Sequence, residues 1–301
     1  AVHTVSKALF EAIVLVVILL ILFLGDLRAA LTAELAGLPA ITVRAGCEIV
    51  AMAPALSPTA PLALTLSNGD RLTTRMLVAA DGKRSRTREL AGIKTIGWSY
   101  GQSSLVTTIG HSEPHRGRAL QHFFTGGPFA ALPLAGERRS AIIWSAPTAA
   151  VEELIALDQP VFTERLSERL GVRLGAVTEV GPRQSYPLEL FLARDLVAGR
   201  VCLVGDAARG MHPLAGQGLN VGLRDVAALA EVLIDDLRLG QPVGGALALA
   251  RFQRWRRFDG VQQALTFDGI NRVFGRPEQL VRVLRDAGLA VVDRLPMLKG
   301  Q

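Results

Sequence analysis

The chain has 301 residues, and its 33 Lys and Arg side chains exceed its 27 Asp and Glu side chains, so the net charge is +6. Half of the residues are hydrophobic and 20% are charged, which excludes a disordered tail, a collagen-like polymer and a disulfide-stapled secreted module. The length is enough for about two domains. The two cysteines, Cys47 and Cys202, lie far apart and show no metal-ligand spacing, so we expect small buried side chains in a reducing compartment.

The N-terminal segment contains much of the chain's hydrophobicity. Residues 12–24 read AIVLVVILLILFL, and the longer stretch from residue 8 contains a single charge, at Glu11. A span of about 17 apolar residues is the lower limit for a membrane-spanning helix. We therefore predict an apolar, transmembrane-like helix over residues 1–25, with a buried core element or a cleaved signal peptide as the alternatives.

Short strands are predicted after this segment. An amphipathic helix over residues 27–38 precedes two alternating stretches, residues 41–54 and 61–70, and Ser-Asn-Gly-Asp at 67–70 predicts a hairpin turn. Residues 71–80, RLTTRMLVAA, predict one strand whose apolar end is covered on both faces. This strand leads into Asp81 and Gly82.

The middle of the chain is also rich in predicted strands. Residues 103–145 contain SLVTTIG, RALQHFF, FAALPLA and RRSAIIWS, separated by Gly and Pro. Helices are predicted over residues 151–156 and 161–170, followed by a strand around Pro187 and a buried strand, RVCLVGD, over residues 200–206. The sequence beyond Gly218 is helical in pattern. This order predicts an α/β fold that is interrupted by an antiparallel sheet and ends in helices.

The clearest chemical signal follows the buried strand of residues 200–206. Asp206 is placed to accept a hydrogen bond from a ribose or ribityl hydroxyl, and Gly216 and Gly218 allow backbone N–H groups to approach a ligand. Asn220 lies where a helix begins, and the positive end of a helix dipole favours an anion. The pattern indicates a cofactor site at a strand end, with an ordinary capped strand–loop–helix as the alternative.

Two motifs resemble those of a known family. GDAARGMHPLAGQGLNVGLRD, over residues 205–225, resembles the GD motif of the flavoprotein aromatic hydroxylases, in particular the branch that acts in ubiquinone biosynthesis. AADGKRSRTRE, over residues 79–89, resembles the DG motif of the same family. Residues 251–274 also resemble that branch. The likeness covers most of the chain from about residue 26 onward, and two motifs in the family's order make it specific.

The resemblance implies a fold, a cofactor and a set of site residues. The fold would be an FAD/NAD(P)-binding Rossmann-like domain with an inserted antiparallel substrate domain. Asp206 would bind the ribityl chain of FAD. The residues that would lie against the isoalloxazine ring are Pro213, Gly216, Gln217, Gly218, Leu219 and Asn220. Those that would support the FAD pyrophosphate and the docking of NAD(P)H are Asp81, Gly82 and Arg88.

The sequence departs from the family pattern at two places. Arg209 stands where the family commonly has His, a change that we expect to be tolerated. No GxGxxG fingerprint precedes Asp81, so we expect an incomplete FAD-binding domain. The predicted domains are an apolar helix at residues 1–25, two parts of the FAD-binding domain at 26–95 and 193–301, and a substrate domain at 96–192.

Residues 1–31 resemble a different family. EAIVLVV followed by LFLGDLRAAL is similar to a transmembrane segment of the resistance–nodulation–division (RND) heavy-metal efflux pumps. The two families share the string LRAAL, so the chain changes from one pattern to the other near residues 26–31. A chimeric reading frame would explain this change, and coincidence between apolar helices is the alternative.

A basic and aromatic cluster lies in the predicted C-terminal helices. Its residues are Arg251, Phe252, Arg254, Trp255, Arg256, Arg257 and Phe258. The spacing predicts an amphipathic helix whose aromatic side chains pack on the core. Attraction to an anionic membrane surface is the alternative, and we expect no nucleic-acid partner.

The resemblance implies an FAD-dependent monooxygenase that uses NAD(P)H and O2 to hydroxylate an aromatic ring of a polyprenylated ubiquinone precursor. It implies a location at the cytoplasmic side of the inner membrane, and a multi-enzyme assembly of ubiquinone biosynthesis as a partner. Because the flavin carries the chemistry, no catalytic side chain or metal is predicted, and His111, His115 and His122 are expected at the surface. The alternatives are an inactive membrane-anchored remnant that cannot bind FAD, and a transport-related fragment.

Overall fold

A computed structural model describes residues 34–35, 37–53, 60–124, 126–211 and 218–275, without the side chains of 267 and 270–275. The predicted helix of residues 1–25 and most of the amphipathic helix predicted over 27–38 lie outside these residues. Within the described part of the chain, no helix is both long enough and apolar enough to cross a membrane.

A small antiparallel sheet opens the described fold. Its strands are β1 (Ile49–Ala53), β2 (Leu62–Leu66) and β3 (Arg71–Thr74), in the order β1-β2-β3. The predicted turn at residues 67–70 joins β2 to β3, with Gly69 at φ +88° and the side-chain Oδ1 of Asn68 accepting a hydrogen bond from the Asp70 N–H. This turn is confirmed. The strand predicted over residues 41–54 is shorter, because only its last part pairs with β2.

The strand predicted over residues 71–80 is divided between two sheets. After β3 the chain turns at Arg75 and Met76, where the Thr74 hydroxyl donates to the Met76 carbonyl, and β4 (Leu77–Ala79) then begins. β4 pairs in parallel with β12 (Val201–Leu203), which pairs antiparallel with β11 (Val197–Ala198). The prediction that this apolar end is covered on both faces is wrong for Val78, which is 43% exposed, because β4 is at the edge of the described three-stranded sheet.

A seven-stranded antiparallel sheet forms the largest layer. Its strands are β5 (Thr95–His111), β6 (Leu120–Phe124), β7 (Gly127–Pro133), β8 (Arg139–Pro147), β9 (Val177–Val180), β10 (Gln184–Ala193) and β13 (Arg209–Gly210). The order is β13-β10-β5-β8-β7-β6, and β9 also pairs with β5. The predicted strands of this region are confirmed, although β5 begins eight residues before Ser103.

The described residues contain five α-helices. They are α1 (Arg86–Leu90), α2 (Thr148–Ala156), α3 (Gln159–Leu170), α4 (Gly218–Arg238) and α5 (Ala246–Gly275). One buried cluster joins the parallel strands to α4 and α5, and a second joins the large sheet to α2 and α3. Cys202 lies in the first cluster, where burial and the nearby Asp225 raise the pKa of its thiol to about 12. This thiol is therefore an inert core side chain, as expected.

Candidate cofactor site

The parallel pairing of β4 and β12 brings two acidic turns to the same edge of a sheet. Leu77 lies opposite Val201 and Ala79 lies opposite Leu203, and the Val204 N–H donates to the Ala79 carbonyl at 3.0 Å. Parallel strands end at one edge, so the segments that follow β4 and β12 must meet there. The turn at Asp81 and the turn at Asp206 therefore form the two sides of the candidate site.

The Asp81 carboxylate organises its own turn. Its Oδ1 accepts a hydrogen bond from the Ser85 hydroxyl at 2.5 Å, and its Oδ2 accepts one from the Thr87 N–H at 2.9 Å. The Ser85 hydroxyl in turn accepts from the Arg88 N–H, so Ser85 caps α1. Burial acts to raise the pKa of Asp81, but these hydrogen bonds outweigh burial and hold that pKa below its ordinary value. Gly82, at φ +81°, completes the turn in a conformation that favours glycine.

Arg88 connects the two turns through hydrogen bonds. Its Nη1 donates to the Ala207 carbonyl at 2.9 Å and its Nη2 donates to the Lys83 carbonyl at 3.0 Å. The guanidinium also lies over the Phe191 ring, with Cζ at 5.1 Å from the ring centroid. Arg88 thus has a positioning role between the turns, and its contact with a cofactor or reductant stays a prediction.

The turn after β12 is fixed by contacts with α4. Gly205 has φ +59°, and its N–H donates to Oδ2 of Asp225 at 2.9 Å. A Cβ on Gly222 of α4 would lie 3.3 Å from the Gly205 Cα, so the two glycines let the helix and the turn approach closely. The turn therefore presents Asp206 outward while its backbone is fixed.

The Asp206 carboxylate is an acceptor that the described residues leave unused. No hydrogen bond or ion pair to this carboxylate is present among the described residues, in contrast to Asp81. Its partial burial raises the pKa of Asp206, and the positive charge of Lys83 offsets part of that rise. The Lys83 ammonium lies 3.2 Å from Oε2 of Glu189 on β10, which ties the first turn to the large sheet. The Asp206 side chain is nevertheless exposed, so a ligand hydroxyl can reach it and donate a hydrogen bond to it.

The first turn of α4 completes the described site. Gly218, Leu219 and Asn220 form that turn, and a Cβ on Gly218 would find no heavy atom within 4 Å. Among the described residues, no side chain therefore blocks the approach of a ligand to the backbone at Gly218. The predicted contacts of Pro213, Gly216 and Gln217 lie outside the described residues.

A buried charge network beneath the site was not predicted from the sequence. Oδ1 of Asp225 accepts hydrogen bonds from Nη1 of Arg209 at 3.0 Å and from Nε of Arg256 at 2.7 Å, and all three side chains are almost fully buried. Arg256 also pairs with Asp259 at 2.6 Å. The replacement of the family's usual His by Arg209 was the one available signal, because a buried guanidinium needs a carboxylate partner.

One histidine also differs from its prediction. His111 is buried rather than at the surface, with Nδ1 2.7 Å from the Glu113 carbonyl and Nε2 2.9 Å from the Ser140 hydroxyl. Burial is the main cause that lowers the pKa of His111, so the neutral ring is favoured. The described residues contain no group of three or more His, Cys, Asp or Glu side chains that could hold a metal ion.

The residues at the joined strand ends fit FAD. Among the described residues, nothing binds the Asp206 carboxylate, and nothing lies within 4 Å of a Cβ at Gly82 or Gly218, so a ribityl hydroxyl and a large ligand have room there. Asp81 and Arg88 are occupied by the two turns, so their described role is to hold the site in shape. The site thus offers a hydroxyl acceptor and two turns fixed by hydrogen bonds, which suit a nucleotide-containing cofactor.

Relatives of the chain include ubiquinone-pathway hydroxylases. A ubiquinone hydroxylase of Rhodospirillum rubrum, UbiL, is 42% identical over 273 residues, which are 91% of this chain and 63% of the relative. The 3-demethoxyubiquinol 3-hydroxylase of Escherichia coli is 31% identical over 79% of this chain and 60% of the relative. The chain thus spans about three fifths of the length of these relatives. They lend no support to the efflux-pump resemblance of residues 1–31.

The fold and a family match agree with these relatives. The structure of p-nitrophenol 4-monooxygenase PnpA from Pseudomonas putida superposes with a TM-score of 0.74 at 18% identity, over 91% of this chain and 69% of that one, which shows a shared fold. The family described as FAD binding domain matches residues 25–245. The predicted membership in an FAD-dependent family is therefore confirmed, and the chain belongs to the FAD binding domain family.

Proposed function

We propose that the chain acts as an FAD-dependent monooxygenase that hydroxylates an aromatic ring of a ubiquinone precursor, with NAD(P)H as the reductant and O2 as the oxidant. The observation that carries this proposal is the exposed Asp206 carboxylate, which no described residue binds and which lies in one of two turns at the same sheet edge. The activities named for the R. rubrum and E. coli relatives support the substrate class. A polyprenyl tail on that substrate, and association with other enzymes of the pathway, are parts of the same proposal.

In this proposal, the protein side chains bind and orient the cofactor and the substrate. Bound FAD would supply the redox chemistry, so no protein nucleophile is needed. Asp206 would accept a hydrogen bond from the ribityl chain of FAD, and the backbone at Gly218 would lie beside the cofactor. Arg88 keeps the two turns in register through the carbonyls of Lys83 and Ala207. The large antiparallel sheet beside the turns would form the wall that faces the substrate.

A cofactor titration tests the proposal. The purified chain is titrated with FAD, and binding is followed by quenching of flavin fluorescence and by the visible spectrum. We expect saturable binding with one FAD per chain, and at least a tenfold weaker Kd for Asp206→Asn, because a charge-assisted hydrogen bond contributes about 1.5–3 kcal/mol. Asp195→Asn is the matched control, since Asp195 is an exposed carboxylate whose described contacts are a 3.8 Å pair with Arg257 and a 3.5 Å hydrogen bond from Gln253.

Two results would contradict the proposal. A folded chain that does not bind added FAD would favour the inactive remnant, and an equal effect of Asp206→Asn and Asp195→Asn would show that Asp206 does not hold the cofactor.

An activity assay then tests the reaction. With FAD bound, the consumption of NADH and of NADPH is compared with and without a quinol-type aromatic substrate. Coupled consumption of either nucleotide and formation of a hydroxylated ring are the expected results.

A further inference from the structure

The solvent-facing side of α5 carries several large apolar side chains. Five of them are exposed to solvent: Leu247 by 85%, Trp255 by 45%, Phe258 by 76%, Val261 by 38% and Leu265 by 62%. Phe258, Val261 and Leu265 follow one another at spacings of three and four residues, so they form a row along the helix. The predicted packing of this cluster's aromatic side chains on the core is observed for Phe252 but is wrong for Trp255 and Phe258. Contiguous exposed apolar surface of this kind marks an interaction site.

The charges on this side of α5 have one sign. Arg251, Arg254 and Arg257 are exposed among the apolar side chains, and no exposed residue between 246 and 269 is acidic. The two carboxylates in that range lie away from this side, because Asp259 is half-buried against Arg256 and Asp268 is buried. An ordinary solvent face mixes both signs, so this arrangement is selective for an anionic partner.

The opposite side of α5 is firmly attached to the protein. Phe252 is fully buried in the core cluster, and Arg256 is held by Asp225 and Asp259. Of the exposed arginines, Arg251 pairs with Asp235 of α4 at 2.8 Å, and Arg257 lies 3.8 Å from Asp195. Arg254 has no ion pair among the residues that the structure describes. The exposed side is therefore presented on a fixed helix.

We propose that the exposed side of α5 binds the surface of an anionic phospholipid bilayer. We call it the basic-apolar face, and its residues are Leu247, Arg251, Arg254, Trp255, Arg257, Phe258, Val261 and Leu265. Guanidinium groups pair with lipid phosphates, while aromatic and aliphatic side chains enter the boundary between headgroups and acyl chains. The proposal does not depend on the proposed enzymatic function, because it uses none of the cofactor-site residues.

A second copy of the chain fits this face less well. At 1.5 Å per residue and about 10 Å of width, the row from Leu247 to Leu265 covers roughly 270 Å², against about 800 Å² per partner in a stable interface. A two-fold contact through the face would also bring arginines against arginines with no acid on the face to pair with them. Nucleic acid would satisfy the arginines, but Leu247 and Leu265 would gain nothing from a phosphate backbone.

Vesicle partitioning of the full chain tests the proposal. Partitioning is measured into vesicles of phosphatidylcholine and into vesicles of equal parts phosphatidylcholine and phosphatidylglycerol. The ratio of the two partition coefficients is the readout, because the apolar run at residues 12–24 carries no charge and cannot distinguish the two vesicle types. We expect a ratio well above one that falls as NaCl is added.

Two variants and two matched controls locate the effect. Arg254→Glu changes the charge by two units. Each unit near an anionic surface changes partitioning about fivefold, so the ratio should fall about 30-fold. Phe258→Ser should lower partitioning into the anionic vesicles about tenfold. Arg173→Glu and Val172→Ser are the controls, since both residues are exposed on the short turn Val172–Leu174, away from α5. Both controls should match the unmodified chain.

A spectroscopic measurement checks the orientation. Brominated lipids in the anionic vesicles should quench the tryptophan emission of the chain, and Trp255→Phe should remove most of that quenching. A ratio near one, a ratio unchanged in Arg254→Glu, or quenching that persists in Trp255→Phe would each overturn the proposal. Dimerisation that Phe258→Ser abolishes without any vesicle binding would overturn it in favour of a second copy. Binding to duplex DNA without binding to vesicles would overturn it in favour of nucleic acid.

Discussion

Asp225→Asn tests the buried charge network directly. The Asp225 carboxylate is fully buried and accepts three hydrogen bonds, from Gly205, Arg209 and Arg256. An asparagine has the same shape but no charge, and it replaces one acceptor oxygen by an NH2 donor. Whichever way the amide is turned, that NH2 group faces another donor, so at least one buried contact becomes repulsive.

The expected loss of stability is large. Removing one partner of a buried ion pair costs about 3–5 kcal/mol, because a charge remains buried without compensation. Here two guanidiniums are affected, although Arg256 keeps Asp259 as a second partner at 2.6 Å. We therefore expect Asp225→Asn to lower the free energy of unfolding by about 3–5 kcal/mol, a considerable part of the roughly 5–15 kcal/mol that a domain has.

Urea unfolding followed by circular dichroism measures this loss. Asp235→Asn is the control, since its ion pair with Arg251 is exposed and should contribute no more than about 1 kcal/mol. In the Asp225→Asn background, Arg209→Met should restore part of the stability, because it removes a stranded charge. The reasoning is refuted if Asp225→Asn costs no more than Asp235→Asn, or if adding Arg209→Met lowers the stability further.

Further predictions concern two carboxylates and two glycines. Asp81→Asn should destabilise the chain at neutral pH. The lowered pKa of Asp81 stabilises the fold at pH values above the ordinary pKa of an aspartate, and this contribution is lost as the pH falls through the lowered pKa. Asp206→Asn should stabilise the FAD-free chain at neutral pH. The raised pKa of Asp206 favours the fold only at low pH, and this contribution is lost as the pH rises through the raised pKa. Urea unfolding at several pH values measures the sign of both effects. Gly260→Ala should lower the Tm, because its Cβ would lie 2.9 Å from Nε of Arg209. Gly269→Ala on the same helix meets nothing within 4 Å and should stabilise by up to about 1 kcal/mol, so equal Tm shifts would contradict the clash.

The location of the candidate site could be predicted because it depends on local patterns. The buried strand before Asp206 and the apolar strand before Asp81 are short, and each ends at a glycine-containing turn. Two such strands in an α/β order are expected to lie in parallel, which places both turns at one edge. The hairpin at residues 67–70 was predictable for the same reason, since its turn chemistry is contained in four residues.

The features that could not be predicted depend on contacts between distant residues. RLTTRMLVAA has no interruption in its pattern, and only the presence of two different sheets divides it at Arg75. His111 is buried because Ser140, on a neighbouring strand, reaches its Nε2. Trp255 and Arg256 are adjacent in sequence, yet the aromatic side chain is exposed and the charged one is buried. Hydrophobicity alone predicts a buried Trp255 and an exposed Arg256. The ion pair between Arg256 and the buried Asp225 carboxylate explains why the observed burial is the reverse.

Arg209 shows how one residue can connect the candidate site to α5. Its guanidinium is larger than an imidazole and always charged, so it needs space, which Gly260 leaves open, and an anion, which Asp225 supplies. Asp225 also holds the Gly205 N–H at the base of the turn that presents Asp206. A loss of the carboxylate would therefore release the turn and the helix together. For this reason Asp225→Asn should weaken FAD binding as well as stability, although Asp225 itself is too deeply buried to touch a cofactor.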